Sequence, residues 1–387
     1  MAEKNPYFLR VKIPIESDMF FGRERDMRRI GYLLCGETPQ CVSIIGERRI
    51  GKSSLANRVF HRLCTASGSA GAYPTRAVYL DCDGIPQDCL SKNDFFQWLN
   101  QKFLAAAAEV PLHHPDGRVP TVKPAKTHKN LFADYPSFKA FIADSGRKGI
   151  KTVIFLDEFE HLPFDEKKKT HPFADDTFFS NLRAMANDPL HRLAFVSLSK
   201  TNLKELTHRS IQSSGFWNIF QEKPLGLLDA ESIAALRRVG FAREGFSLTA
   251  GEIGKIHYYA GDFPFLNQVV CGFLWDARRG KEEPDWDGLE VELLPFYEKL
   301  WEDRSRDEQK LLKNLKGKED MTLKVMKSRG IIIKEGKHCR PFSGFFSYLI
   351  EKEFERRKEK LAEKESIQNL KEGLDILKKG KDVVTGK

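Results

Sequence analysis

Apolar residues fall into two kinds of run along this chain. Unbroken blocks at Val42–Ile45, Ala77–Leu80, Val153–Leu156 and Leu193–Leu198 predict buried strands, and Ile219–Leu225 predicts a last short one containing Pro224. Between them, apolar positions recur three or four apart. Leu55, Val59 and Leu63 share one helix face, and Phe95, Phe96, Leu99 and Phe103 line a helix from Asn93 to about Glu109. A further helix is predicted over Tyr135–Ser145. Strands alternating with helices predict an α/β fold with a parallel sheet.

From Asp229 onward the period is helical. Asp229 caps a helix with Ile233, Leu236 and Val239 inward, and Thr249-x-x-Glu252 opens another that ends at Gly261. Gly261-Asp262-Phe263-Pro264 then starts a helix over Phe265–Arg279. A polar linker, Arg279–Gly288, leads to a helix at Leu289–Glu302, a capping box at Ser305-x-x-Glu308 and a helix bearing Leu311, Leu312 and Leu315. A short helix ends at Gly330, and Ile331–Ile333 with His338–Phe342 predict a hairpin about Glu335-Gly336. Helices followed by a hairpin read as a winged helix. The last segment, Phe345–Lys379, is a charged helix whose stripe Ile367, Leu370, Leu374 and Leu377 suits a partner or the protein's own surface equally.

The organising stretch is Cys41–Leu63. Its strand meets Gly46-x-x-x-x-Gly51-Lys52-Ser53 and passes straight into a helix, the setting a phosphate-binding loop requires. The glycines permit a tight turn with no Cβ between backbone and anion. Gly46, Glu47, Arg48, Arg49, Ile50, Gly51, Lys52, Ser53 and Ser54 would wrap the phosphates of ATP. Backbone N–H groups at the loop and helix start face the anion. Lys52 adds a point charge and, on the nucleotide-free protein, is expected to be solvated. The Ser53 hydroxyl is a ligand for Mg²⁺.

A second constellation ends the strand Val153–Leu156. Asp157 and Glu158 stand at its C-terminal tip, where ligands bind in an open parallel sheet. Asp157 is placed to hold Mg²⁺ and Glu158 to polarise an attacking water; an acidic helix start after a core strand is the bland alternative. Ser199, Lys200 and Thr201, at the tip of the next strand, are all candidates to feel a γ-phosphate. Phe20-Phe21-Gly22-Arg23 forms a turn one helix before the loop, suited to packing on an adenine or to opening a helix with nothing bound.

Composition narrows the setting. The 387 residues imply two or three domains, and 41% hydrophobic with 30% charged content describes a globular protein with no apolar run long enough to span a bilayer. Seven cysteines without a C-x-x-C pair argue against zinc and a disulfide framework, so a reducing cytoplasm is expected. Residues 111–130 hold four prolines and three histidines without period. They read as a loop insertion, and His113, His114 and His128 lack the acids or cysteines that would complete a metal site. The net charge of +9 permits nucleic-acid contact without requiring it, and Asp303–Phe345 carries twelve Lys/Arg against six acids.

The order of motifs, FFGRERDM, GERRIGKSSL, VIFLDEFEHL, AGDFPFLNQVV and SRGIIIKEGKHCRPFSGFFSYLIE, resembles the STAND branch of AAA-like P-loop ATPases over about residues 20–350. The resemblance implies a P-loop NTPase domain at 21–226, a helical lid at 227–284 and a winged helix at 285–350, between the lead-in read at 1–20 and the charged helix read at 351–387. It places Gly22 and Arg23 near the adenine, Asp157 and Glu158 as a Walker B pair, and Pro264 against the nucleotide from the lid. Where many relatives carry a sensor-strand arginine, this chain has Ser199-Lys200-Thr201. The implied activity is slow, regulated ATP hydrolysis, with ATP and Mg²⁺ as cofactors. Nucleotide state would govern domain arrangement and assembly with protein partners, in signalling or defence, with no membrane contact. The rival is a DNA-binding AAA+ ATPase of the origin-recognition or transposition-helper kind, using the winged helix on DNA.

Overall fold

The computed structural model describes residues 5–7, 12–65, 74–109, 130–163, 171–206, 208–315, 320–336 and 338–352. The expected loop insertion therefore lies outside the described residues apart from Asn130, and so does the charged helix beyond residue 352.

Five strands form one parallel sheet: β1 (Cys41–Ile45), β2 (Thr75–Asp81), β3 (Lys151–Asp157), β4 (Leu193–Ser199) and β5 (Phe220–Pro224), in the order β2-β3-β4-β1-β5. Every residue of β1, β3 and β4 is buried, which explains unbroken apolar runs where a half-exposed strand would alternate. β5 is an edge strand with only Phe220 buried, and it tolerates Pro224 for that reason. The order brings β4 between β1 and β3, so the tips of all three meet at one end of the sheet.

Helices α1 (Glu24–Cys35), α2 (Lys52–Thr65), α3 (Lys92–Glu109), α4 (Tyr135–Arg147), α5 (Asp176–Asn187) and α6 (Arg209–Ser214) belong with this sheet. The two last are additions to the sequence reading. A phenylalanine cluster ties α3, α4 and α5 together: Phe96 lies 5.2 Å from Phe138 and Phe95 5.1 Å from Phe178, between ring centroids.

The chain then becomes helical: α7 (Ala230–Arg243), α8 (Ala250–Ala260), α9 (Pro264–Gly280), α10 (Trp286–Glu302), α11 (Arg306–Lys313) and α12 (Met321–Ser328). The Asp229 cap and the capping boxes at Thr249/Glu252 and Ser305/Glu308 all form. The expected linker Arg279–Gly288 is shorter. Asp285 caps α10 by accepting from Gly288 N, and Trp286 stacks on Tyr259 at 5.6 Å, so the helix begins earlier. Strands β6 (Ile332–Glu335) and β7 (His338–Pro341) pair antiparallel, followed by helical residues 344–352. The helices on either side of the linker share an aromatic seam. Phe263 meets Phe342 at 5.3 Å, while Tyr297 donates to the Tyr259 carbonyl and lies 3.0 Å from Ser343 Oγ.

The lead-in is anchored at two places. Asn5 donates to Gly272 O and Tyr7 to Arg237 O, fixing residues 5–7 on α9 and α7. Residues 12–19 cross α2, where Ile13 N donates to Ser54 Oγ at 3.3 Å and Arg58 donates to the carbonyls of Pro14 and Ser17. No helix among the described residues is long and apolar enough to cross a membrane.

Candidate nucleotide-binding site

A cavity of about 350 Å³ opens at the strand tips, walled by the lead-in, the loop after β1, Glu158 and the start of α9. Its volume is in the range of small-molecule sites.

The loop is built by backbone conformation. Arg49 and Gly51 have φ of 64° and 102°, so the chain turns through the left-handed region twice before α2 begins. Gly51 is the residue type that adopts this without strain, and its amide opens the helix. Gly46 is needed for another reason, since a Cβ there would meet Leu225 O at 2.7 Å. Gly46 N donates to Ser199 O at 3.2 Å, tying the loop to the tip of β4.

Of the predicted phosphate-loop residues, Arg48, Arg49, Ile50, Gly51, Lys52, Ser53 and Ser54 line the cavity. Lys52 is 8% exposed, which corrects the expectation that it is solvated. Its ammonium donates to Gly46 O at 2.9 Å and Glu47 O at 3.1 Å, and burial pushes its pKa down. The two carbonyls stand in for solvent in a loop too tight to admit it.

Gly46 and Glu47 lie behind the cavity wall. The Glu47 side chain, expected among the nucleotide contacts, turns away from the cavity and forms buried ion pairs with Arg304 and Arg329. Both arginines also meet Glu308, at 3.6 and 3.4 Å. Glu47 can therefore offer a nucleotide its backbone only. Arg329, one of the twelve basic residues of Asp303–Phe345, is 5% exposed and committed to this network.

Asp157 is also buried, and its carboxylate collects four donors. Oδ1 accepts from Ser53 Oγ at 3.1 Å and Glu158 N at 3.0 Å; Oδ2 accepts from the Tyr79 hydroxyl at 2.7 Å and the Lys12 ammonium at 3.2 Å. Tyr79 stays protonated because burial, then the Asp157 charge, raises its pKa. Adjacent hydroxyl and carboxylate oxygens on Ser53 and Asp157 are the hard donors Mg²⁺ takes, alongside phosphate oxygens and water, so these residues fit that ion. No cluster of three or more His, Cys, Asp or Glu able to hold a metal occurs among the described residues, and a site completed by phosphate needs none.

Glu158 is half-buried, lines the cavity and has a left-handed φ of 49°. Burial raises its pKa, Glu160 reinforces the rise, and Lys52 opposes it. At the β4 tip, Ser199 Oγ donates to Thr201 O at 2.6 Å, while Lys200 pairs with Asp303 at 2.7 Å. The charge at this tip is thus directed to the end of α10.

Phe20, Phe21, Leu228, Leu236, Pro264 and Phe265 give the cavity its apolar end. Arg23 lines it too, donating to Ile50 O at 3.2 Å and Gly226 O at 2.7 Å; burial lowers its pKa to about 10. Its head is spent on carbonyls, so it braces the loop. Gly22 lies behind the wall, against Ser232 and Leu228. Lys12, Met19, Leu228, Leu236 and Gln268 were missed in the sequence. Gln268 had a signal, being one helical turn beyond Pro264 on the same face. The irregular segment holding Lys12 had none.

Residues 19–192 match the family model described as "AAA ATPase domain". The chain thus carries an AAA-type P-loop ATPase domain, set within the α/β fold described above. Among solved structures it resembles the Walker-type ATPase PABY2304 of Pyrococcus abyssi, at 17% identity and a TM-score of 0.56, covering 89% of this chain and 99% of that one. It also matches the ORC2 protein of Aeropyrum pernix, solved as ADPNP–ADP complexes (13% identity, TM-score 0.47, 87% and 96% covered). The ORC1 protein of the same organism, solved in complex with DNA, matches at 15% identity and TM-score 0.42, with 89% and 97% covered. No curated protein gives a significant match.

Proposed function

We propose that this protein is an ATP-binding and slowly hydrolysing switch of the STAND kind. Its nucleotide would set the arrangement of an NTPase domain (21–226), a helical lid (227–284) and a winged helix (285–350), and so its assembly with protein partners. In this reading Lys52 and the loop amides bind the phosphates, and Ser53 and Asp157 hold Mg²⁺, which when bound neutralises phosphate charge. Glu158 takes the proton of the attacking water, which its raised pKa suits it to do. Pro264 contacts the nucleotide from the lid.

The observation that carries this reading is Glu47. Its carbonyl accepts from Lys52, the lysine that a phosphate would draw away, and its carboxylate pairs with Arg304 and Arg329, far along the chain. One loop residue is bonded both to the phosphate-seeking lysine and to the C-terminal unit. A change at the phosphates therefore reaches that unit through a single peptide. DNA contact is secondary, since the burial of Arg329 removes one of the cations a duplex would meet.

The test is mass and small-angle scattering of the full chain without nucleotide, with ADP and with a non-hydrolysable ATP analogue, beside measured turnover. A switch gives distinct shapes or masses for the two nucleotides. Identical profiles with no turnover would overturn the proposal.

A further inference from the structure

We propose that Lys12 is a built-in competitor of Mg²⁺ at Asp157, so that metal–nucleotide entry displaces the lead-in from the site. The inference rests on the reading of Asp157 as the metal-side carboxylate, and goes beyond it by giving the lead-in a role.

The Asp157 side chain is 3% exposed, whereas that of Lys12 is 53% exposed. A carboxylate so nearly buried is costly to leave without a cation. Ser53, Tyr79 and Glu158 N are neutral donors, and Lys52 is held by Gly46 O and Glu47 O. Among the described residues, the cation in hydrogen-bond contact with it is the Lys12 ammonium, 3.2 Å from Oδ2 and 5.3 Å from the centroid of the Tyr79 ring. Lys12 lines the cavity, and its ammonium is bonded to the carboxylate that also accepts from the Ser53 hydroxyl.

Like charges cannot share the position. A divalent ion drawn to Ser53 Oγ and Asp157 would repel the ammonium, and with water on its open stem Lys12 can leave at small cost. The backbone behind it is tethered lightly, by Ile13 N on Ser54 Oγ and by Arg58 on Pro14 O and Ser17 O. Since Ser54 follows the metal-binding hydroxyl, any shift of the loop on phosphate binding also loosens the strap. Before metal arrives, the carboxylate is occupied by a side chain of its own lead-in.

The test uses the full chain and a fluorescent ADP analogue, titrated in excess chelator and then with Mg²⁺. Removing an ion pair of ~1 kcal/mol from the site should lower the Mg²⁺ concentration at half-effect about fivefold in Lys12→Met. Affinity for metal-free ADP should change little. Arg58→Ala, which keeps Lys12 but unties the strap, should shift the midpoint in the same direction by less. In the wild type, trypsin cleavage after Lys12, read by the mass of the fragment starting at Ile13, should be faster with Mg²⁺–ADP than with ADP and chelator. An unchanged or raised Mg²⁺ midpoint in Lys12→Met overturns the inference while leaving nucleotide binding intact, as does slower cleavage with metal. A wild type that binds no nucleotide overturns the proposed function, and this inference with it.

Discussion

Arg304 places its Nη2 2.5 Å from Oε2 of Glu47, and the two side chains are 0% and 1% exposed. With Arg329 on the other carboxylate oxygen and Glu308 beside both arginines, Glu47 and Glu308 together balance two buried guanidinium groups. Breaking such a group from one side typically costs ~3–5 kcal/mol, because it strands charge in the interior. Glu47→Gln should lose stability on that scale in denaturant unfolding. Replacing Glu47, Arg304 and Arg329 by Leu, Met and Met, with Glu308→Gln so that no carboxylate is left without its partners, should recover much of it. A combined variant no more stable than the single one would show that packing, not charge, accounts for the loss.

Lys52→Ala should weaken ATP binding on the order of a hundredfold, the loss of two charge-assisted contacts of ~1.5 kcal/mol each. Calorimetric titration of folded variant and wild type checks this, and undiminished affinity would remove the phosphate-loop assignment.

Glu158→Gln should bind ATP normally and hydrolyse it about 10²–10⁴-fold more slowly, as loss of a general base usually does. Asp157→Asn should instead weaken the Mg²⁺-dependent part of binding. Single-turnover hydrolysis and metal titrations separate the two, and identical behaviour would refute the division of roles.

The same glutamate has a signature in stability. Burial raises its pKa, so the folded chain keeps the proton at a pH where the unfolded chain has released it. Stability then falls as pH rises from the ordinary glutamate value through the raised one. Above that window Glu158→Gln should melt higher than wild type without nucleotide, and below the ordinary value the two should converge. Melting curves across pH decide it.

Lys324 and Lys327 on α12 should support only weak, sequence-independent DNA binding that fades with salt, since lysine contacts to phosphate carry no base readout. Retention on duplex DNA at rising salt, for wild type and Lys324→Ala/Lys327→Ala, measures this. Nanomolar, ATP-dependent binding at physiological salt, lost in that variant, would favour the DNA-binding alternative.

What could be read in advance follows the range of the forces involved. The loop, α2 and the tip of β3 declared themselves because their chemistry needs particular residue types at fixed spacing. The caps at Asp229, Thr249 and Ser305 were equally local. Helix α5 carries a readable signal of its own, an Asp175 cap before Phe178, Phe179, Leu182 and Met185. The pairing of Glu47 with Arg304 had no such signal. It spans 257 positions, and nothing near either residue names its partner. The burial of Lys52 likewise arises from how the loop closes rather than from its composition.

The connector between the sheet and α7 also passes against the C-terminal unit. A Cβ on Gly226 would meet Ser328 O at 2.9 Å, and one on Gly330 would meet Leu227 Cγ at 2.8 Å. The backbone that would act as the hinge of the lid is thus meshed with the turn joining α12 to β6, like two gears on neighbouring shafts. Bending at one axle turns the other. A side chain added at Gly226 or at Gly330 would therefore push the connector and that turn apart, and each glycine keeps the two backbones in contact.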